Sequence, residues 1–295
     1  MSGSDNDFRV GFVGLGNMGA PMAERLLAWP GGLVVCDVRP EATEKYTEQG
    51  AVAASTAAET AAQADVVSVV VVNDEQVRAV VTGPDGILTK ARPGAVVAVH
   101  STISDRTATE LAAECARHDV EFVDAPISGG AAGAQQGRLA VMVGGSEAAY
   151  QRVREPFGCF SDLVVHAGPV GAGTQMKLAR NLLHFVAFTA ASEAQRLAEA
   201  AGLDIIALGK VVRHSDAVTG GAGAIMLRDT TAPVATDDFW HSILGHVRGL
   251  GEKDLALALD LGSRLGVDLP LAGLALHGLG PGLGVGAGDI AKEHG

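Results

Sequence analysis

Cysteine is scarce. The 295 residues hold three, Cys36, Cys115 and Cys159, far apart and without CxxC spacing. An odd, scattered set excludes a disulfide framework and a zinc site, and leaves reduced thiols serving as small hydrophobes. Long apolar runs are absent as well. The longest, Val66–Val72, is interrupted by Ser68 and falls far short of the roughly 20 residues that a membrane span needs. Positive charge is in short supply: 22 Lys and Arg stand against 34 Asp and Glu, a formal net charge of −12. A nucleic-acid partner needs a basic face, so this balance argues against one. It leaves room for an anionic substrate held by a few local cations. The opening MSGSDNDF is polar and acidic, unlike a secretory signal. Together these absences lead to the expectation of a cytoplasmic protein with neither membrane nor nucleic acid as partner.

What is present is a globular composition, 47% hydrophobic and 19% charged, at a length that suits two ordinary domains. From Arg9 to about His166, short β-branched runs (Val10–Val13, Leu33–Cys36, Val66–Val72, Ala95–Val99, Val120–Val123, Leu139–Val143, Leu163–Val165) alternate with helical stretches such as Met18–Ala28, Ala57–Gln63, Asp105–Arg117 and Glu147–Pro156. That alternation predicts βαβ units and a largely parallel sheet, and continuous apolar strands predict one covered on both faces. After Gly168 strand-like runs stop. Thr174–Ala201 contains neither proline nor glycine and predicts one long helix, followed by helices at Ile205–His214, Phe239–Leu265 and Leu271–Leu279. The expected fold class is α/β: an N-terminal Rossmann-type dinucleotide-binding domain over 1–168 and an all-helical domain over 169–295, joined by the long helix. Glycine-rich Gly278–Gly288 is expected to be a mobile tail or a loop held by a partner subunit.

The first strand run leads into Gly14-Leu15-Gly16-Asn17-Met18-Gly19 and then a helix. In this context GxGxxG points to a dinucleotide. Gly14 permits the tight turn, Gly16 lets the pyrophosphate approach the backbone, and Gly19 lets the helix pack on the sheet. The helix start offers N–H groups and partial positive charge. The second strand run ends at Asp37, placed to accept from the adenosine ribose hydroxyls and to repel a 2′-phosphate; Arg39 could hold that phosphate instead. NAD is therefore the expected cofactor, with NADP as the alternative.

Two further glycine-rich segments carry candidate chemistry. In Asp124-Ala125-Pro126-Ile127-Ser128-Gly129-Gly130, Ser128 and the backbone N–H groups of Gly129 and Gly130 form either an anion nest or a simple turn. In Gly171–Asn181, Lys177 and Asn181 are four apart on one helix face. They suit a substrate bearing a carbonyl and a carboxylate, or else lie on a solvated amphipathic face.

These motifs resemble, in order along most of the chain, those of the β-hydroxyacid dehydrogenase family. GFVGLGNMGAPMA (11–23), His100-Ser101-Thr102-Ile103-Ser104, DAPISGG followed by Gly133, Ala134 and Gly137, the Gly171–Asn181 segment, and Lys253-Asp254-Leu255 are all similar to the family pattern. The resemblance implies hydride transfer between a nicotinamide cofactor and a small β-hydroxyacid, 3-hydroxyisobutyrate-like, or its semialdehyde. Lys177 would be the acid/base, with Asn181 beside it in the catalytic pair. Ser128, Gly129 and Gly130 would hold the carboxylate-bearing substrate, with His246 and Asp254 in the same substrate set. Val72, Asn73, Ser101, Thr102 and Lys253 would join the glycine turn in contacting the cofactor. A homo-oligomer through the helical domain is also implied. Two positions depart from the pattern: Arg180 stands where the family has Asn, and His246 where it has an aromatic residue. His246 would retune substrate preference, or is a packing histidine. An imine reductase shares the plan but generally lacks the lysine; a non-catalytic nucleotide-binding module is the remaining alternative.

Overall fold

The computed structural model describes residues 8–225, 228, 230 and 232–286. Seven of the apolar runs become strands; the central ones, whose residues are buried throughout, are covered on both faces, whereas the last is partly exposed. They are β1 (Val10–Val13), β2 (Leu33–Cys36), β4 (Val66–Val69), β5 (Val96–Val99), β6 (Glu121–Asp124), β8 (Leu139–Gly144) and β9 (Ser161–Gly168). Two short strands, β3 (Val52–Ala53) and β7 (Ile127–Ser128), complete a nine-stranded sheet. Its order is β3-β2-β1-β4-β5-β6-β8-β7, with β9 beside β8. β3 through β6 pair in parallel in register such as Val10↔Leu33 and Val10↔Val66. The sheet departs from parallel after β6. The chain turns back at Gly129 and Gly130, whose φ of 135° and 65° few other residues adopt, and β8 runs antiparallel to β6 and β7.

Helices α1 (Gly19–Leu26), α2 (Glu44–Thr47), α3 (Ala57–Gln63), α4 (Asp74–Thr82), α5 (Asp105–Ala116), α6 (Gly130–Gln136) and α7 (Glu147–Gly158) cover the sheet. Several start on a side-chain acceptor: Thr56 takes the Glu59 N–H, Asn73 that of Gln76, Ser104 that of Arg106 and Ser146 that of Ala149. Alternation along each strand divides the core in two. Val10, Phe12, Leu33, Val35 and Val96 join Met22, Leu26, Phe157 and Phe160 on one face. Val13, Val34, Val67, Val97 and Val99 join Val77, Val81 and Leu111 on the other.

The chain divides into two compact units, one ending at Arg180 and one beginning at Asn181. The division falls inside α8 (Ala172–Ala200), the long helix expected from the sequence. The second unit is helical. Beyond the rest of α8 it contains α9 (Ile205–Thr219), α10 (Phe239–Leu265) and α11 (Pro270–Gly282). Glu193 caps α11 by accepting the Leu271 and Ala272 N–H groups, and Arg248 pairs with Glu252 at 2.8 Å. The segment expected to be a mobile tail or a loop held by a partner subunit is helical through Gly282; residues 287 and 288 lie outside the described residues, as does the opening 1–7. No helix among the described residues is long and apolar enough to cross a membrane.

Candidate active site

β1, β2, β4, β5 and β6 run parallel and end on one edge, and the segments that follow β1, β2, β4 and β5 carry the predicted cofactor-contacting residues of the first unit. Out of β1 the chain turns at Gly14, whose φ of 98° favours glycine and whose N–H donates to the Cys36 carbonyl at 2.8 Å. A Cβ on Gly14 would run into the Val70 carbonyl oxygen, and one on Gly19 into the Gly14 carbonyl oxygen. Gly16 is the opposite case: a Cβ there meets nothing within 4 Å. The loop is thus closed on its protein side and open at Gly16, and so fits the close approach of a pyrophosphate. Leu15, within this turn, is buried; Asn17 is exposed, and Met18 directly precedes α1.

Asp37 stands beside the same turn. Its Oδ2 accepts the Leu15 N–H at 2.6 Å and its Oδ1 the Arg39 N–H at 2.9 Å, with Arg39 Nε 3.2 Å away. Burial raises the Asp37 pKa, but the hydrogen bonds from Arg39 and Leu15 and the guanidinium charge outweigh it and hold the carboxyl below its ordinary value. The carboxylate is ionised and fixed, while the Arg39 side chain remains 57% exposed.

After β4, Val72 is 81% exposed and Asn73 caps α4. Ser101 is buried: its hydroxyl donates to the Val71 carbonyl at 2.7 Å and accepts the Val71 N–H at 3.0 Å. It ties two loops together, whereas Thr102 beside it is exposed.

On the substrate side, Gly129 and Gly130 are exposed and Ser128 half-buried. Lys177, on α8, is only 9% exposed, and its Nζ donates to the Ile127 carbonyl at 2.6 Å. Burial, reinforced by the nearby Arg180 charge, pushes the Lys177 ammonium below the ordinary lysine value. The fold thus brings Lys177 to β7 and the Gly129–Gly130 turn that follows it, with Ile127 50 residues away in sequence.

The remaining predicted residues belong to the second unit. Asn181 opens it. On α10, His246 is exposed, and Lys253 and Asp254 are exposed with Nζ 3.2 Å from Oδ1.

Asp124 and His100, both within the family-like motifs, have partners that their sequence neighbours do not reveal. Asp124 is fully buried; its Oδ1 accepts the Gly171 N–H at 2.7 Å and its Oδ2 the Thr174 N–H at 2.6 Å, at the start of α8. Burial raises its pKa, against the opposing effect of those hydrogen bonds. His100 is buried against Phe157 and Phe160, with Nδ1 2.8 Å from the Ala125 carbonyl and Nε2 3.1 Å from Ser68 Oγ. A carbonyl only accepts, so Nδ1 carries the proton and Nε2 accepts from Ser68. These partners lie 25 to 50 residues away; the available signal was a polar residue at the end of an otherwise apolar strand.

Burial lowers the His100 pKa to about 4 from 6.5. The unfolded chain binds this proton below about pH 6.5 and the native state only near 4, so His100 contributes stability that is lost as pH falls through that window. Its slope is at most about 1.4 kcal/mol per pH unit. Urea unfolding at about pH 5 and pH 7 is expected to show a smaller acid loss in His100→Gln than in wild type; equal losses would contradict this assignment.

Residues 9–168 match the model of the NAD binding domain of 6-phosphogluconate dehydrogenase, and residues 171–279 that of the NAD-binding domain of NADP-dependent 3-hydroxyisobutyrate dehydrogenase. An uncharacterized oxidoreductase of Mycobacterium tuberculosis is 58% identical over 287 residues, 97% of each chain. The crystal structure of a protein assigned as an oxidoreductase from Mycobacterium avium 104 is 53% identical and superposes with a TM-score of 0.91, over 95% of this chain and 100% of that one. The 3-hydroxyisobutyrate dehydrogenase of Mycobacterium tuberculosis, in a structure with L-serine, is 33% identical with a TM-score of 0.66 over 91% of both chains. Fold and matches define an NAD(P)-dependent oxidoreductase. The chain belongs to the β-hydroxyacid dehydrogenase family, among the oxidoreductases of the 3-hydroxyisobutyrate dehydrogenase type.

Proposed function

We propose that the protein interconverts a small β-hydroxyacid, 3-hydroxyisobutyrate-like, and its semialdehyde, with Lys177 as the acid/base. The observation that carries this reading is the Lys177 ammonium, buried and held 2.6 Å from the Ile127 carbonyl beside the Ser128–Gly130 turn. When bound, the nicotinamide supplies the hydride chemistry. In the oxidative direction a neutral Lys177 takes the hydroxyl proton; in the reductive direction its ammonium returns one to the carbonyl oxygen. One N–H is committed to Ile127, so the tetrahedral nitrogen has its orientation fixed. A lowered pKa makes the neutral form accessible closer to neutrality than in an ordinary lysine. Ser128 and the N–H groups of Gly129 and Gly130 receive the carboxylate, with Asn181 at the substrate oxygen. L-serine, present with the M. tuberculosis relative, is itself a β-hydroxyacid, which supports the class.

His246 and Asp254 are assigned to the substrate set, with His246 retuning preference among hydroxyacids. Lys253 contacts the cofactor or closes over the site, Val72 and Asn73 contact the cofactor, and Ser101 and Thr102 lie beside its nicotinamide half. The residues from 169 onward form the substrate and oligomerisation domain. Its α8 and α9 carry exposed Leu182, Phe185, Phe188, Ile206 and Val218, which suit a homo-oligomer. The proposed location is the cytoplasm.

NAD is the proposed cofactor in preference to NADP, on the ionised Asp37. Asp37→Ser removes both the ribose acceptor and the charge opposing a 2′-phosphate, while Arg39 stays. The ratio of kcat/KM for NAD over NADP is expected to fall by about tenfold or more, as one lost charge-assisted hydrogen bond of about 1.5–3 kcal/mol implies. A wild type that already prefers NADP would make Arg39 the determinant instead.

A further inference from the structure

We propose that Asp124 is the positioning residue for Lys177: its buried carboxylate locks the start of α8 to the loop that carries Ser128–Gly130, and so sets where the lysine nitrogen stands. The proposal rests on the reading of Lys177 as acid/base.

A helix start presents N–H groups without intrahelical partners, and an ionised carboxylate is the acceptor that suits them best. Asp124 satisfies two, Gly171 through Oδ1 and Thr174 through Oδ2, at 2.7 and 2.6 Å. Three residues beyond Asp124, the Ile127 carbonyl accepts from Lys177; three residues beyond Thr174 stands Lys177 itself. The two short segments are therefore pinned at both ends, Asp124 to Thr174 and Ile127 to Lys177. A slide or rotation of α8 against the loop would break one pin or the other. Packing closes the same joint. A Cβ on Gly173 would strike the Met142 carbonyl oxygen and come within 2.5 Å of the Asp124 carbonyl oxygen; one on Gly144 would strike Asp124 Oδ1. Fully buried, Asp124 acts through Lys177 and not on the substrate.

Asparagine at 124 keeps the shape but offers only one acceptor, setting its NH2 against the other N–H donor. The test is a double-mutant cycle on the full chain with saturating NAD, and with 3-hydroxyisobutyrate and L-serine as substrates. Asp124→Asn is expected to lower kcat by about tenfold or more, with KM and the NAD dissociation constant within about threefold of wild type. Added to Lys177→Ala, the same change is expected to cost less than about twofold, because its effect runs through the missing lysine. A purely structural role would give additive losses, and additivity would overturn the proposal, as would an Asp124→Asn variant with wild-type kcat. If Lys177→Ala retains wild-type kcat, or wild type turns over neither substrate, the reading of Lys177 fails and this proposal with it. If only Lys177→Ala loses activity, this proposal fails alone. Should Asp124→Asn not fold, Gly173→Ala lifts the first turn of α8 without touching the carboxylate and is expected to show the same loss and the same non-additivity. Failure of both to fold would overturn the proposal, making Asp124 a requirement of the fold rather than of the placement of Lys177.

Discussion

Replacing Lys177 by alanine is expected to lower kcat by about 10²-fold or more, with the NAD dissociation constant nearly unchanged. The two effects separate because the lysine and the glycine turn are built from different parts of the first unit. The dinucleotide-binding turn is held by Gly14, Asp37 and the β1–β2 ladder, none of which uses the lysine. The Nζ donates to the Ile127 carbonyl, which loses this donor in the variant. That costs about 1–3 kcal/mol of stability if no water replaces it. The measurement is steady-state kcat together with cofactor binding by fluorescence. A variant retaining half of the wild-type kcat would remove Lys177 from the acid/base role, and a large rise in the NAD dissociation constant would make the residue a cofactor ligand instead.

A valine at position 16 is expected to abolish cofactor binding at usable concentrations, raising the NAD dissociation constant by about 10²-fold or more, while the ligand-free protein unfolds at nearly the wild-type temperature. Gly16 is the one glycine of the turn around which a side chain has room: nothing lies within 4 Å of its Cβ position, and its φ is not positive. The added methyl groups would occupy the space that the pyrophosphate must enter, and displace it from the backbone N–H groups at the start of α1. Gly14→Ala provides the contrast. There the φ of 98° and the Val70 carbonyl oxygen make any Cβ a strain on the fold itself, so stability is expected to fall along with binding. Thermal unfolding and NAD titration of both variants check this. Tight NAD binding by Gly16→Val would place the pyrophosphate elsewhere.

The sheet was legible in the sequence where strands are buried on both faces, since four consecutive apolar residues have few other uses in a chain of this composition. β3 and β7 were not, because two residues carry no period. The run Val66–Val72 overstates β4, whose ladder ends at Val69; Val72 is exposed, and Asn73 already caps α4. α4 itself escaped notice because its first turn is Asp74-Glu75-Gln76 and only Val77 and Val81 are buried. Glycine misled at the other end of the chain. Gly278–Gly282 reads as a loose tail, yet α11 continues through it, and glycines mark its contact with α10. A Cβ on Gly251 would come within 2.5 Å of Leu279 Cδ2, and one on Gly280 within 2.7 Å of Arg248 Nε. Glycine there provides close helix approach rather than freedom.

The candidate site divides along the same line. The glycine turn, Asp37 and the Lys177 helix are local patterns, so spacing exposed them. The surroundings that give those residues their properties are contacts across the sheet. The carboxylate of Asp124, the neutral ring of His100 and the Ile127 carbonyl meet partners 25 to 50 positions away, and no periodicity records that. Ser101 shows the same limit, since a hydroxyl that spacing places at the cofactor is engaged with the backbone of Val71.

The most direct test of the account is cofactor reduction by the purified wild-type protein, followed by absorbance, with NAD and NADP each offered 3-hydroxyisobutyrate, L-serine and the 2-hydroxyacid lactate. Turnover of a β-hydroxyacid is expected, faster with NAD than with NADP, with no turnover of lactate. Reduction of neither cofactor by either β-hydroxyacid, or a preference for lactate, would contradict it.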